Sequence, residues 1–448
     1  MSTALIILAA GHGSRMKSDK PKVLHRVASA PLLWHAMRRA EGLEAEKTVV
    51  VVGHEGEQVA ESAKACNPDC EVVWQHEQNG TGHAVQQAQA ALAGFDGDVI
   101  VLYGDTPFIA PETLARMLEA RTSGSDIVVL GFKAAEPGGY GRLVMENGVL
   151  GAIVEAKDAT AEQRAIDFCN SGVICAPAPL LFSLLEQVGS DNASGEVYLT
   201  DIVAIANARG LACSAIECAE AETMGVNTRA DLARAEATFQ QAARAAMLEN
   251  GVTMTAPETV FFAFDTVIGR DTIIGPNVFF GPGVTVENNV HIRVFCHFEG
   301  CHISSGSIVG PFARLRPGTE LGGDVKVGNF VEIKNAIVDR GAKVNHLSYV
   351  GDAHIGEGTN IGAGTIFCNY DGVNKHHTEI GKHVFVGSNS ALVAPVTLGD
   401  EAFVTTGAVV TEDVPAGDMA FARVRQVTKK GLGKRFMERL RAAKATKK

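Results

Sequence analysis

Two periodicities divide the chain. Over the first 130 residues, short apolar and β-branched segments at 4–9, 48–52, 71–74, 98–102 and 126–132 alternate with stretches of helical spacing at 32–43, 57–65, 82–92 and 111–122. This alternation predicts a mainly parallel α/β sheet covered on both faces, with ligands at the carboxyl ends of its strands. Residues 229–250 lack Gly and Pro and are rich in Ala, Glu, Gln and Arg. They read as one helix, capped by Asn227 or Thr228 and ended by Gly251. A helix of about 22 residues spans ~33 Å, suiting a spacer between two bodies.

Beyond Gly251 an aliphatic or Phe residue recurs at every sixth position. The series runs Ile268, Ile274, Phe280, Val286, Ile292 and Phe298, then Val309, Leu315, Leu321, Val327 and Ile333. It resumes with Ile355, Ile361 and Phe367, and ends with Ile380, Val386, Leu392, Leu398, Val404 and Val410. One-residue shifts fall near 298–303, 333–338 and 350–355, and an external loop is expected at 369–379. A period of six fits neither a helix nor a hairpin. It predicts a parallel β-helix of hexapeptide repeats, about 18 residues per triangular coil and about eight coils over 268–410.

Composition sharpens this division. Of 448 residues, 48 are glycine, with 22 in 1–228, none in 229–250 and 24 in 251–425. The net charge of -11 separates into -13, 0, -6 and +8 for 1–228, 229–250, 251–425 and 426–448, the expected domain boundaries. An acidic body argues against broad nucleic-acid binding, so an anionic ligand must be held by local devices. The nine cysteines show no zinc spacing and read as reduced thiols. No apolar run is long enough for a membrane span, and the N-terminal run Ala4 to Ala10 has no basic residues before it. A cytoplasmic protein without membrane insertion is expected.

The first candidate site follows the first strand, at Leu8-Ala9-Ala10-Gly11-His12-Gly13-Ser14-Arg15-Met16 with Pro21-Lys22. Glycines let backbone N–H groups approach phosphate, and Arg15 and Lys22 supply charge. Gln75 follows the third strand and Gly80-Thr81 opens the next helix, where they can read a base edge. Tyr103-Gly104-Asp105 ends the fourth strand. A lone carboxylate beside phosphates suits magnesium. Each feature alone also reads as turn chemistry.

The hexapeptide region offers a second set: Arg316, Lys334, His346, Tyr349, Asn360 and the loop 369–375. Arg316 and Lys334 lie 18 residues apart, hence one coil apart and ~5 Å from each other. Two such cations repel unless an anion lies between or above them. His346 follows Lys334 by two hexads.

These motifs resemble the bacterial bifunctional N-acetylglucosamine-1-phosphate uridyltransferase/glucosamine-1-phosphate acetyltransferase family, over nearly the whole chain. The resemblance implies a Rossmann-like nucleotidyltransferase domain followed by a left-handed parallel β-helix. It assigns UTP and UDP-N-acetylglucosamine contacts to Leu8, Ala9, Ala10, Gly11, Lys22, Gln75, Gly80, Thr81, Tyr103, Gly104, Asp105, Gly141, Glu155, Asn170 and Asn227. Asp105 and Asn227 would hold magnesium, and Arg15 would contact the triphosphate. His346 would be the base of acetyl transfer, which requires a group that titrates near neutrality. Arg316, Lys334, Tyr349 and Asn360 would hold glucosamine 1-phosphate. Ala363, Asn369, Tyr370, Ser388, Thr406 and Arg423 would line the acetyl-CoA site. His12 stands where Lys is commoner, and Thr406 where Ala is usual. The resemblance also implies a homotrimer with acetyl-transfer sites between subunits.

Two other functions remain to be excluded: a monofunctional nucleotidyltransferase using its β-helix only for assembly, and a nucleotide-sugar-sensing scaffold. The tail 426–448, with nine Lys/Arg and one Glu, reads as disordered and solvated. It could instead be an arm for nucleic acid, for the acidic body or for the phosphates of coenzyme A.

Overall fold

The computed structural model describes residues 2–39, 41–146 and 148–446. It forms two compact units, Met1–Ala243 and Arg244–Lys448. In the first, the strand Thr3–Ala9 is buried at every residue, as expected of a central parallel strand covered on both faces. It lies between Lys47–Val52 and Asp98–Tyr103, parallel to both. Side-chain alternation sends Ile6, Val49 and Val101 into one core layer and Ile7, Val50 and Leu102 into the other. Beyond Lys47–Val52 lies Glu71–Trp74, the edge strand of that side.

On the other side one strand breaks the parallel order. Phe168–Pro177 runs antiparallel between Asp98–Tyr103 and Ile127–Lys133, and its register with Ile127–Lys133 shifts between Asn170 and Ile174. The expected helix at 82–92 is α-helical only over Thr81–Gln86 and continues as hydrogen-bonded turns. Ala88, Ala91 and Leu92 remain buried, so the apolar spacing met its burial without a regular helix. The helix expected at 32–43 ends at Arg39. The stretch 229–250 is helical as Arg229–Glu249.

The second unit is a left-handed parallel β-helix. One face is a column of ten parallel strands, from Thr253–Met254 to Met419–Ala420. Coils therefore extend beyond both ends of the readable period. All the hexad residues named above are buried, none more than 7 % exposed. Glu332–Val338 and Tyr349–Ile355 run unbroken around a corner and join the other two faces into one sheet. That corner accounts for two of the one-residue shifts: Asn335 and Asp352 turn it at φ 46° and 49°. Asn335 Nδ2 donates to Asp352 Oδ1 at 2.6 Å. Many glycines here permit coils to approach. A Cβ on Gly328 would lie 1.8 Å from the Asn345 carbonyl oxygen. The expected loop is present, ending one residue before the strand Thr378–Ile380. The basic tail is not disordered as expected: it contains a helix, Leu432–Ala445, with no buried residue. No helix among the described residues is long and apolar enough to cross a membrane.

Candidate functional site

At the carboxyl ends of the parallel strands lies a cleft of about 360 Å³. Ten of the expected nucleotide residues line it: Leu8, Ala9, Ala10, Gly11, Lys22, Gln75, Gly80, Thr81, Tyr103 and Asp105. The Gly104 N–H donates to the Leu8 carbonyl at 2.9 Å, which joins the tips of two strands. The Lys22 ammonium contacts Asp105 Oδ2 and lies 3.1 Å from Asn227 Oδ1. Arg15 Nη2 donates to that same Asn227 oxygen at 2.9 Å. Oxygens from residues 105 and 227 thus converge on one cation. Hard oxygen donors around one point suit magnesium. Among the described residues no group of three or more His, Cys, Asp or Glu could hold a metal. A magnesium ion held by these two oxygens would take phosphate and water for the rest of its shell.

Gly141, Glu155 and Asn170 form an adjoining patch. A Cβ on Gly141 would meet Glu155 Oε2 at 3.4 Å and Asn170 Cβ at 3.5 Å. Burial raises the Glu155 pKa, opposed by the Thr200 hydroxyl, which donates to Glu155 Oε1 at 3.2 Å. Tyr103 joins this patch to the cleft. Burial, then the charges of Asp105 and Glu155, keep its phenol protonated. The His12 ring lies tilted against His54, with ring centroids 4.5 Å apart, and lines a neighbouring hollow rather than the main cleft.

The β-helix arranges the second set in two columns. Leu315 is in register with Ile333, so Arg316 stacks on Lys334 as expected. Arg316 Nη1 contacts Glu332 Oε1 at 2.8 Å. The Lys375 ammonium beside Lys334 lowers the Lys334 pKa; desolvation and Arg316 add to this, and Asp352 opposes it. Three cations thus crowd one edge of a face. Tyr349 is in register with Glu332, and its hydroxyl lies near Gly351 and the Asn369 amide.

The registers Val344–Ile361, Ile361–Val386 and Val386–Val404 place His346, Ala363, Ser388 and Thr406 in a stack at one corner. His346 Nδ1 is 2.7 Å from Asn329 Oδ1. Asn360 lies on the strand Asn360–Ile361 of the same column of strands. Tyr370 and Arg423 are exposed, Tyr370 at the start of the loop. From His346 to Gly351, which is level with Lys334, the chain crosses a whole face. At about 3.3 Å per residue that is roughly 15 Å.

Residues 5–185 match the MobA-like NTP transferase domain family. Residues 265–299 match the bacterial transferase hexapeptide family, and 378–412 the hexapeptide repeat of succinyl-transferase. "Bifunctional protein GlmU" of Ruegeria sp. (strain TM1040) is 63 % identical over 447 residues, covering 100 % of this chain and 99 % of that protein. The protein of the same name from Cereibacter sphaeroides (strain ATCC 17025) is 64 % identical over 443 residues, covering 99 % and 97 %. The chain belongs to the GlmU family. GlmU proteins are bifunctional, combining uridyltransferase and acetyltransferase activities. The monofunctional reading is therefore set aside.

Within this GlmU fold, several residues at the sites escaped the sequence reading. Gln78 Nε2 donates to the Ala10 carbonyl at 2.8 Å and lines the main cleft with Glu196. The polar run from Gln75 to Gln78 was a signal for the first. Glu196 had none, because its segment reaches the cleft only by pairing across the fold, through Val197 N–H to the Asn79 carbonyl at 2.8 Å. Asn329 and Glu332 needed the coil register. All nine cysteines are free. Burial raises the pKa of Cys296 to about 11 and of Cys301 to about 12, so both stay as unreactive thiols.

Proposed function

We propose that the two clusters catalyse successive steps in the synthesis of UDP-N-acetylglucosamine. The β-helix, within 251–425, transfers acetyl from acetyl-CoA to glucosamine 1-phosphate. The α/β domain, 1–228, transfers uridylyl from UTP to the resulting N-acetylglucosamine 1-phosphate and releases pyrophosphate. The observation that carries this reading is the convergence of Arg15, Lys22, Asp105 and Asn227 beside a glycine loop at a strand tip.

The attacking oxygen of a sugar 1-phosphate is already an anion, so uridylyl transfer needs no general base. Its obstacle is bringing two polyanions together. Lys22 and Arg15 neutralise the triphosphate, and backbone N–H groups around Gly11 approach it. Gln75, Gly80 and Thr81 receive the base, while Gly141, Glu155 and Asn170 receive the sugar. Magnesium, held by Asp105 and Asn227, supplies further charge neutralisation at the phosphates.

In the second reaction Arg316, Lys334 and Lys375 hold the sugar phosphate, whose charge relieves their mutual repulsion. Tyr349 and Asn360 orient the sugar. Asn329 accepts from Nδ1–H of His346, which leaves the Nε2 lone pair to take the ammonium proton. The freed amine attacks the thioester carbonyl, and the thiolate of CoA leaves. Ala363, Asn369, Tyr370, Ser388, Thr406 and Arg423 bind the coenzyme. The Thr406 backbone packs against Gly387; a backbone contact to the coenzyme there would tolerate threonine, whereas a side-chain contact would alter packing against it. Nine free thiols fit a reducing cytoplasm.

Cations and base on opposite edges of one face favour a site completed by a neighbouring copy. An exposed ladder provides the contact surface. Phe295, Phe312, Phe330 and Leu347 stand at one corner in left-handed backbone, with φ between 53° and 59°. They are 50 %, 44 %, 55 % and 60 % exposed, and the three rings stack at 5.0 and 5.1 Å. Large apolar residues gain nothing from such positions unless another surface covers them. We assign the ladder to a homotrimer. Phe312→Asp should give monomers by sedimentation, with acetyl transfer lost and uridylyl transfer kept; an intact trimer would remove the ladder from the interface.

The direct test is purified protein with glucosamine 1-phosphate, acetyl-CoA, UTP and magnesium. Both CoA thiol and pyrophosphate should appear, with thiol release independent of UTP. Pyrophosphate without acetyl-CoA-dependent thiol would leave only a nucleotidyltransferase.

A further inference from the structure

The loops bearing Arg15 and Lys22 lie more than 200 residues before the one bearing Asn227, and something must hold the two cations close before any phosphate arrives. We infer that the first turn of the helix Arg229–Glu249 does this, with Arg229 and Asp231 as positioning residues of the uridylyl-transfer site. The inference rests on the assignment of Arg15, Lys22, Asp105 and Asn227 proposed above.

Arg229 ties two of the loops together. Its Nε donates to the Met16 carbonyl at 3.2 Å, next to Arg15. Its Nη1 lies 3.2 Å from His25 Nδ1. The His25 backbone N–H closes the turn that begins at Lys22, donating to the Lys22 carbonyl at 3.1 Å. Burial, then the charges of Arg229 and Lys20, lower the His25 pKa. A neutral ring can accept from the guanidinium at Nδ1. One guanidinium therefore fixes both the arginine loop and the lysine turn.

Asp231 holds the third loop. Its Oδ2 accepts from the N–H of Thr228 at 2.8 Å and the Thr228 hydroxyl at 2.9 Å. Thr228 Oγ1 in turn accepts from the Asp231 N–H at 3.1 Å. This reciprocal pair is a helix cap. The same oxygen also accepts from the N–H of Asn227 at 3.1 Å. That bond reaches one residue beyond what capping requires, to the residue whose side-chain oxygen receives Arg15 and Lys22. Asp105 is tied to the same strap, since its carbonyl accepts from the Val226 N–H at 2.9 Å. Groups held in place before binding need no ordering during it. The helix that the sequence presents as a spacer thus begins as part of a catalytic site.

The test uses the full chain with Arg229→Ala, Asp231→Ala, Arg229→Lys and Asp231→Asn. For each, we would measure the magnesium concentration giving half-maximal uridylyl transfer, the KM for UTP, the melting temperature, and the Kd of UDP-N-acetylglucosamine with magnesium by calorimetry. Both alanine variants should raise magnesium half-saturation and the Kd about tenfold, the scale of one lost charge-assisted hydrogen bond. The conservative variants should shift them about threefold, and acetyl transfer should not change. A lower melting temperature with unaltered half-saturation and Kd would reduce Asp231 to a cap and overturn the inference. If the alanine variants do not fold, wild-type values in Arg229→Lys and Asp231→Asn overturn it equally. Asp105→Ala separates the two readings. Activity retained there defeats the metal assignment, whereas loss there beside normal Arg229 and Asp231 variants defeats this inference alone.

Discussion

Replacing Asp105 with alanine should reduce uridylyl transfer by about a thousandfold or more, the scale of losing a metal or charge-stabilising group. Acetyl transfer should stay within about twofold, because its residues belong to the other compact unit. The side chain is 17 % exposed and contacts the Lys22 ammonium. Its removal leaves Lys22 still 3.1 Å from Asn227 Oδ1, so the change in melting temperature should be small. Asp105→Asn should fall between, since it keeps an oxygen donor and loses the charge. Turnover of UTP and release of pyrophosphate check this directly. Near-normal turnover in the alanine variant would sink the metal assignment, and parallel loss of both activities would point to unfolding.

The mirror experiment is His346→Ala. Acetyl transfer should fall by about a hundred- to ten-thousandfold, as for loss of a general base, with uridylyl transfer intact. The ring is exposed, and its described polar partner is Asn329, so stability should change by no more than about 0.5 kcal/mol. Asn329→Ala should give a smaller loss in kcat with little change in the KM for glucosamine 1-phosphate, because it alters how the ring is held. An unchanged thiol-release rate in His346→Ala would remove histidine from the role of base.

Much of the first site was legible because its parts lie at strand ends. Gly11, Gln75 and Asp105 lie just past apolar runs that read as strands, and Gly80 opens the helix after one of them; parallel strands bring such ends together. Gly141, Glu155 and Asn170 were less legible. They lie on a hairpin and on the one antiparallel strand inserted into the sheet, for which the alternation gave no cue. Their expected roles came from family resemblance. Glu196 was invisible for the same reason: its approach depends on pairing with the segment around Asn79 and Gly80. In the β-helix, Arg316 above Lys334 could be counted from the period. Lys375 beside Lys334 could not, since the external loop has no period.

By itself the sequence determined the two architectures, the inward residue of each hexad and the chemistry available at each strand tip. Periodicity and residue type are local properties, and burial of an apolar stripe admits few solutions. Only the tertiary structure decided that Lys22 lies between Asp105 and Asn227, that Arg229 grips loops more than 200 residues before it, and that the cations and His346 occupy opposite edges of one β-helix face. Those separations are set by how packed layers and stacked coils align over the whole chain, and no short stretch of sequence encodes them.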